Sequence, residues 1–256
     1  MAGPPQIDLN ADVGEGFGVW AMGRDADLLA LVTSVNVACG FHAGDPVVMD
    51  RTVAAAARLG LAVGAHPGYP DLRGFGRRPM SADPDEVEKD VLYQVGALQA
   101  FARAHGTRVG HVKPHGALYN QAAGDLRLAR AVARGTARAG RDLILVGLAG
   151  SAILRGAAEA EGLRFAAEAF ADRAYNPDGT LVARGQPGAV IADAGQAAEQ
   201  ALSIARDGRV RAAGGSTVTI AAETLCLHGD TPGALDHARA VGQALRAAGI
   251  ALKPLS

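Results

Sequence analysis

Charged and hydrogen-bonding side chains gather in this chain at one kind of place, the ends of short apolar runs. There stand Asp8, Asn10 and Asp12, then Asn36 and His42, then His66. Lys113 and His115, Glu168 and Asp172, and His228 and Asp230 follow. The four histidines can act as acid or base near neutral pH. Asp12 and Glu168 can polarise water or orient a histidine, and Lys113 can stabilise an oxyanion or a phosphoryl oxygen. The loop Arg73-Gly74-Phe75-Gly76-Arg77-Arg78 offers backbone N–H groups and guanidinium forks to a carboxylate or phosphate. Plainer roles compete at each point. Lys113 could simply neutralise Asp12 or Glu168, the arginine loop could be a solvated turn, and Asp45 before Pro46 reads first as a helix cap.

Local nucleotide and nucleophile motifs are missing. No GxxxxGK[ST] loop, no GxGxxG after a strand and no GxSxG elbow occurs, nor an HExxH or CxxC metal motif. If ATP is used, no common local motif of this chain holds it. The expectation is therefore no metal ligand set along the sequence, although Asp12 and two histidines could still assemble one through space.

The elements that must position these groups alternate from end to end. Strands are expected at Ile7–Asp12, Ser34–Ala38, Leu61–Ala65, Val109–Lys113, Leu143–Leu148, Leu163–Phe170 and Glu223–Leu227. Helices are expected at Asp25–Thr33, Pro46–Leu59, Asp85–Ala104, Asp125–Ala139, Ser151–Ala160, Asp193–Arg206 and from Thr231-Pro232 to about Ala248. Val87, Val91, Val95, Leu98 and Phe101 form one helical stripe. Asn-Pro and Asp-Gly turn signals make about 172–192 an irregular excursion. Strand–helix alternation without a linker means parallel strands and right-handed crossovers. Seven such units without a halfway break favour a single-domain, seven-stranded parallel β/α barrel over a doubly wound sheet, with 1–256 as one domain. A barrel would converge the polar strand ends on one mouth. The fifth strand alone brings nothing polar.

Composition narrows the class. The chain has 256 residues, 49% of them hydrophobic, enough for a full core. A formal net charge of -1 and no Lys/Arg run beyond Arg77-Arg78 argue against nucleic acid or an anionic membrane as partner. Cys39 and Cys226 lack metal-motif spacing and read as buried thiols of a reducing, cytoplasmic compartment. MAGPPQIDLN does not look like a signal peptide, and Leu28–Gly44 is too polar for a membrane span. Lysine is scarce, occurring only at 89, 113 and 253, which makes one inside a strand conspicuous.

Six ordered stretches carry a resemblance. IDLNADVGEGFG, NVACGFHAGDP, GAHPGYPDLRGFGRR, HVKPHGALYNQA, EAFADRAYNPDGTLVAR and CLHGDTP resemble the motifs of the LamB/YcsF family, the A subunits of bacterial ATP-dependent 5-oxoprolinase. The likeness runs from Ile7 to about Leu252, with small departures at Val19–Arg24 and Ala169. It implies a barrel similar to glycoside hydrolase/deacetylase barrels. It also implies opening of 5-oxo-L-proline (pyroglutamate) to L-glutamate, with ATP as cosubstrate and subunits B and C as partners. On that basis Asp12, His42, Lys113 and Glu168 are expected to form the ring-opening centre. Lys113 would face the oxyanion, Asp12 or Glu168 would take the water proton, and His42 would protonate the leaving nitrogen. Asn10, Asn36, His66, Arg73, Arg77, His115, Arg173 and His228 are expected around the substrate.

Two other classes stay open from the residues alone. One is a stand-alone metal-dependent deacetylase or amidohydrolase, which a chelator would silence. The other is a non-catalytic carboxylate-binding subunit, in which mutation of Asp12 or Lys113 would leave activity of the complex unchanged.

Overall fold

In β1 (Gln6–Val13) the side chains alternate between two environments. Ile7, Leu9, Ala11 and Val13 join the apolar layer under the helices, while Asp8, Asn10 and Asp12 bond to side chains of other strands. The computed structural model describes residues 5–228 and 233–255, with the side chain of His228 outside that description. Asp230 and the Thr231-Pro232 start expected for the last helix also lie outside the described residues.

The elements that follow are α1 (Asp25–Leu29), β2 (Ser34–Ala38), α2 (Pro46–Arg58), β3 (Ala62–His66), α3 (Pro84–Ala104) and β4 (Val109–Val112). Next come α4 (Gly116–Gly124), α5 (Leu126–Ala139), β5 (Ile144–Leu148), α6 (Ala152–Ala160), β6 (Arg164–Phe170) and α7 (Ala194–Leu202). A short hairpin, β7 (Arg209–Arg211) with β8 (Thr217–Thr219), precedes β9 (Thr224–His228), α8 (Ala234–Ala247) and β10 (Ala251–Leu252). Strands β1 to β6 pair in sequence order, all parallel, and β9 pairs with both β6 and β1. That closes a seven-stranded parallel barrel; β10 only extends the outer start of β1.

Helix starts follow local chemistry. The Asp45 carboxylate accepts from the Val47 and Val48 amides ahead of Pro46, so its role is the cap. Asp83, Asp125, Ser151 and Asp193 cap α3, α5, α6 and α7 in the same way. The expected stripe of α3 is buried at Val87, Val91, Val95 and Leu98, each contributing about 1.5–3 kcal/mol on burial. Phe101 packs half-buried at its margin. Gln94 is also fully buried on this helix. Its amide donates to the Gly68 carbonyl and accepts from the Gly68 N–H, fixing the chain just after β3.

Three expectations need correction. The helix expected over Asp193–Arg206 is α-helical only to Leu202, then passes into a π turn over Ser203–Asp207 that Gly208 ends in the left-handed region. Helix α1 stops at Leu29, leaving Thr33 to bond β1. Helix α4 and the β7–β8 hairpin have no counterpart in the sequence-based expectation; α4 is bracketed by glycines that hide its periodicity.

The barrel interior is divided. At its amino-terminal end Leu255 packs against Ile144, Val146 and Ala166. Opposite, the Asp8 carboxylate accepts from the hydroxyls of Thr33, Ser34 and Thr224. Above these layers the polar groups meet.

Candidate active site

Lys113 lies at the centre. Its ammonium, buried, is 3.0 Å from Asp12 Oδ1, 2.9 Å from Glu168 Oε1 and 3.0 Å from Cys226 Sγ. Burial opposes the ammonium, but Asp12, the Cys226 sulfur and Glu168 outweigh it and hold its pKa well above the usual lysine range. Burial keeps the Cys226 thiol neutral, with its pKa pushed well up. Asn36 donates to Asp12 Oδ1 at 2.9 Å and to Asn10 Oδ1 at 2.7 Å, and Asn10 donates to Glu168 Oε1 at 3.0 Å. Asn10 and Asn36 thus sit under the two carboxylates and orient them. They do not line the cavity above.

Beside this group the histidines stack. His66 Nε2 is 3.2 Å from Asp12 Oδ2, and His115 Nδ1 is 3.0 Å from His66 Nε2. His42 lies parallel to His115, ring centroids 3.7 Å apart, with its Nε2 3.6 Å from Glu15 Oε1. Burial, with His66 nearby, holds His42 well below 6.5, and burial with His42 does the same to His115. Close contacts make the stack possible. A Cβ on Gly76, itself at φ 61°, would meet His42 Cβ at 2.8 Å. Next to it Phe75 adopts a left-handed φ of 55°, unusual outside glycine, and its carbonyl takes the His115 Nε2 proton at 2.8 Å.

A cavity of about 530 Å³ opens above Asp12, His66, Lys113 and His115. Leu148, Phe170, Leu181 and Val182 supply its apolar side, and Arg77, Arg173 and Arg184 reach it from the loops. The sequence-expected residues therefore separate. Asp12, Lys113, His66, His115, Arg77 and Arg173 line the cavity; Glu168 and His42 are buried behind it. Arg73 is exposed and does not line it, while Arg78 is held by Asp71, with its Nε 3.0 Å from Oδ2. Arg173 also anchors the excursion after β6, donating to the Val182 and Ala189 carbonyls. Burial, with Arg184 nearby, lowers its pKa to about 10.

The family model described as LamB/YcsF matches residues 7–256. The chain belongs to the LamB/YcsF family. A relative from Paracidovorax citrulli, named as the A subunit of 5-oxoprolinase, is 56% identical over 250 residues, spanning 98% of this chain and 99% of its own. One of the same name from Pyrococcus abyssi is 51% identical over 250 residues, 98% of each. Among solved structures, the lactam utilization protein from Thermus thermophilus superposes with a TM-score of 0.93 at 47% identity, covering 98% of this chain and 100% of that one. Among the described residues no helix is long and apolar enough to cross a membrane.

Two further buried polar residues of this cluster, Glu15 and His111, were not expected from the sequence. Glu15, buried, is 3.5 Å from His115 Nδ1; its signal was a carboxylate flanked by glycines three residues beyond Asp12. His111 donates from Nε2 to Asn36 Oδ1 at 2.9 Å and fills the space where Gly64 lacks a side chain. It sits inside β4, not at its end, so attention to strand ends missed it.

Proposed function

We propose that this chain is the lactam-opening subunit of an ATP-dependent 5-oxoprolinase, converting 5-oxo-L-proline to L-glutamate together with partner subunits B and C. The observation that carries it is the Lys113–Asp12 pair, 3.0 Å apart on the floor of the cavity, under a rim of arginines. The names of the relatives supply the substrate, and the missing phosphate loop suggests that a partner handles ATP.

The chemistry follows from amide stability. Transfer of the terminal phosphoryl of ATP to the lactam oxygen leaves ADP and makes the ring carbon electrophilic. Asp12 takes a proton as water adds to that carbon, and Lys113 faces the oxygen on which charge grows. Asp12, carrying the proton, returns it to the ring nitrogen as the C–N bond breaks. The acyl phosphate left behind needs a second water to release phosphate and glutamate. Glu168, behind Lys113, balances the ammonium rather than meeting water. His42 has no proton to give near neutral pH, so the nitrogen proton is better assigned to Asp12 than to the histidine the sequence suggested. Arg77 and Arg173 are the rim groups for the substrate carboxylate or the phosphoryl group.

Glutamate release from 5-oxoproline and ATP, measured with and without the partner subunits, tests this reading. Turnover only in the complex, lost on Asp12→Asn, is the expected result. ATP-dependent release by the chain alone, or full turnover of the Asp12→Asn complex, would overturn it.

A further inference from the structure

His66 Nδ1 is 2.7 Å from the Lys113 carbonyl, and His115 Nε2 is 2.8 Å from the Phe75 carbonyl. A carbonyl only accepts, so each of those nitrogens carries the ring proton. In the neutral rings the lone pairs are then on His66 Nε2 and His115 Nδ1. Those two atoms face each other at 3.0 Å, an arrangement in which neither can donate. His42 sharpens the conflict. It is fully buried, and neither of its nitrogens has a hydrogen-bond partner.

The potential ligand atoms converge. One ring nitrogen each from His42, His66 and His115 and an oxygen of Glu15 all lie within 4.8 Å of one another. His66–His115, His115–Glu15 and His42–Glu15 are separated by 3.0, 3.5 and 3.6 Å. A tetrahedron with bonds of about 2.0–2.1 Å separates its ligand atoms by about 3.3–3.4 Å. We propose that Glu15, His42, His66 and His115 form a binding site for one divalent transition-metal ion of the zinc class, set into the cavity floor beside Asp12.

Donor chemistry and charge both favour this. Imidazole nitrogens with one carboxylate suit Zn²⁺ and its neighbours, not Mg²⁺ or Ca²⁺. Asp12, Glu15 and Glu168 are buried carboxylates, Lys113 pairs with Asp12 and Glu168, and Glu15 lies instead against His42 and His115, so a doubly positive ion is electrostatically welcome there. The rival solution is one extra proton on His66, shared between Asp12 and His115. That proton settles the His66–His115 contact but leaves His42 without a partner, whereas one ion engages all three rings. The carbonyls of Lys113 and Phe75 then have the role of fixing tautomer and ring direction around a metal.

Calorimetric titration of the chelator-treated full chain with Zn²⁺ is the direct test, backed by the visible spectrum of the Co²⁺ form. Saturable uptake of one ion, with a tetrahedral Co²⁺ spectrum, is expected. His42→Asn and Glu15→Gln should each weaken uptake at least about a hundredfold, while His105→Asn, altering an exposed pair with Asp50, should not. No saturable uptake by the unaltered chain, or undiminished affinity in folded His42→Asn and Glu15→Gln proteins, would overturn the site. So would a ¹⁵N spectrum of the Zn²⁺-treated chain showing both His66 nitrogens protonated. Uptake is read on the chain alone, so the outcome stands apart from the lactam-opening assay.

Discussion

Strands β1 and β5 stand on opposite sides of the same barrel and differ in what they turn inward. β1 presents Asp8, Asn10 and Asp12; β5 presents Ile144, Val146 and Leu148. The backbone asks the same of both, extended chain with every second side chain inside. Side-chain chemistry alone separates them. The β5 wall excludes water and lowers the local dielectric, which strengthens the charged contacts on the β1 side and penalises any that lose a partner. On the proposed reading, the β1 wall carries the chemistry and the β5 wall insulates it.

The largest expected effect breaks the polar wall. Lys113→Met in the reconstituted complex should lower turnover about a hundred- to thousandfold, the usual loss of a donor to a developing oxyanion. Turnover per folded molecule near normal, with only thermal stability reduced, would make Lys113 a structural neutraliser of Asp12 and Glu168.

Acid should next strain His111 on β4, which bonds the Asn36 amide beneath Asp12. Burial, helped by Lys113 and His66, lowers the pKa of His111 from 6.5 to about 4. The unfolded chain protonates this ring first as pH falls, so it binds more protons between those values. Stability contributed by neutral His111 is full above about 6.5 and falls toward about 4, by roughly 3 kcal/mol. His42 and His115, also held low by burial, act with the same sign. Denaturant midpoints at about pH 7 and about pH 5 should differ less in His111→Asn than in the unaltered chain. Equal differences would refute the assignment.

Smaller effects sharpen the contrast at the rim. Arg77→Ala should weaken substrate capture by about one to two orders of magnitude, the worth of one charged hydrogen bond. Arg73→Ala, outside the cavity, should leave KM unchanged; matched losses in both would return the loop to a general electrostatic role. Smallest of all, Ile144→Val in the insulating wall should cost about 0.5–1.5 kcal/mol of stability with turnover intact. A tenfold loss of turnover there would mean that the apolar side also positions the reacting groups.

Much of this was legible in the chain because it rests on local rules. Asp45-Pro46 and Asp83-Pro84 announce helix starts through capping geometry that needs no distant contact. Alternation in Ile7–Asp12 sorts β1 into two faces, repeated strand–helix units demand parallel pairing, and seven of them without a halfway break favour closure over an open sheet. Lys113 stood out as a lysine at the end of an apolar run, and the barrel does bring it to Asp12 across 101 positions of sequence.

Tertiary structure decided everything that depends on a particular backbone atom far away. Arg73, Arg77 and Arg78 look alike in sequence, yet Asp71 claims one, the cavity takes another and solvent the third, because a left-handed Phe75 turns the loop between them. Which ring nitrogen of His66 and His115 carries the proton is set by the Lys113 and Phe75 carbonyls. Glu15 enters the site through His115, 3.5 Å away, and His111 through Asn36, 2.9 Å away across β3, contacts that only the curved sheet makes between segments not paired in it. Residue type and spacing select the kinds of group a strand can present. Distances of about 3 Å between groups on different strands, and so tautomer, charge state and role, exist only once the barrel has closed.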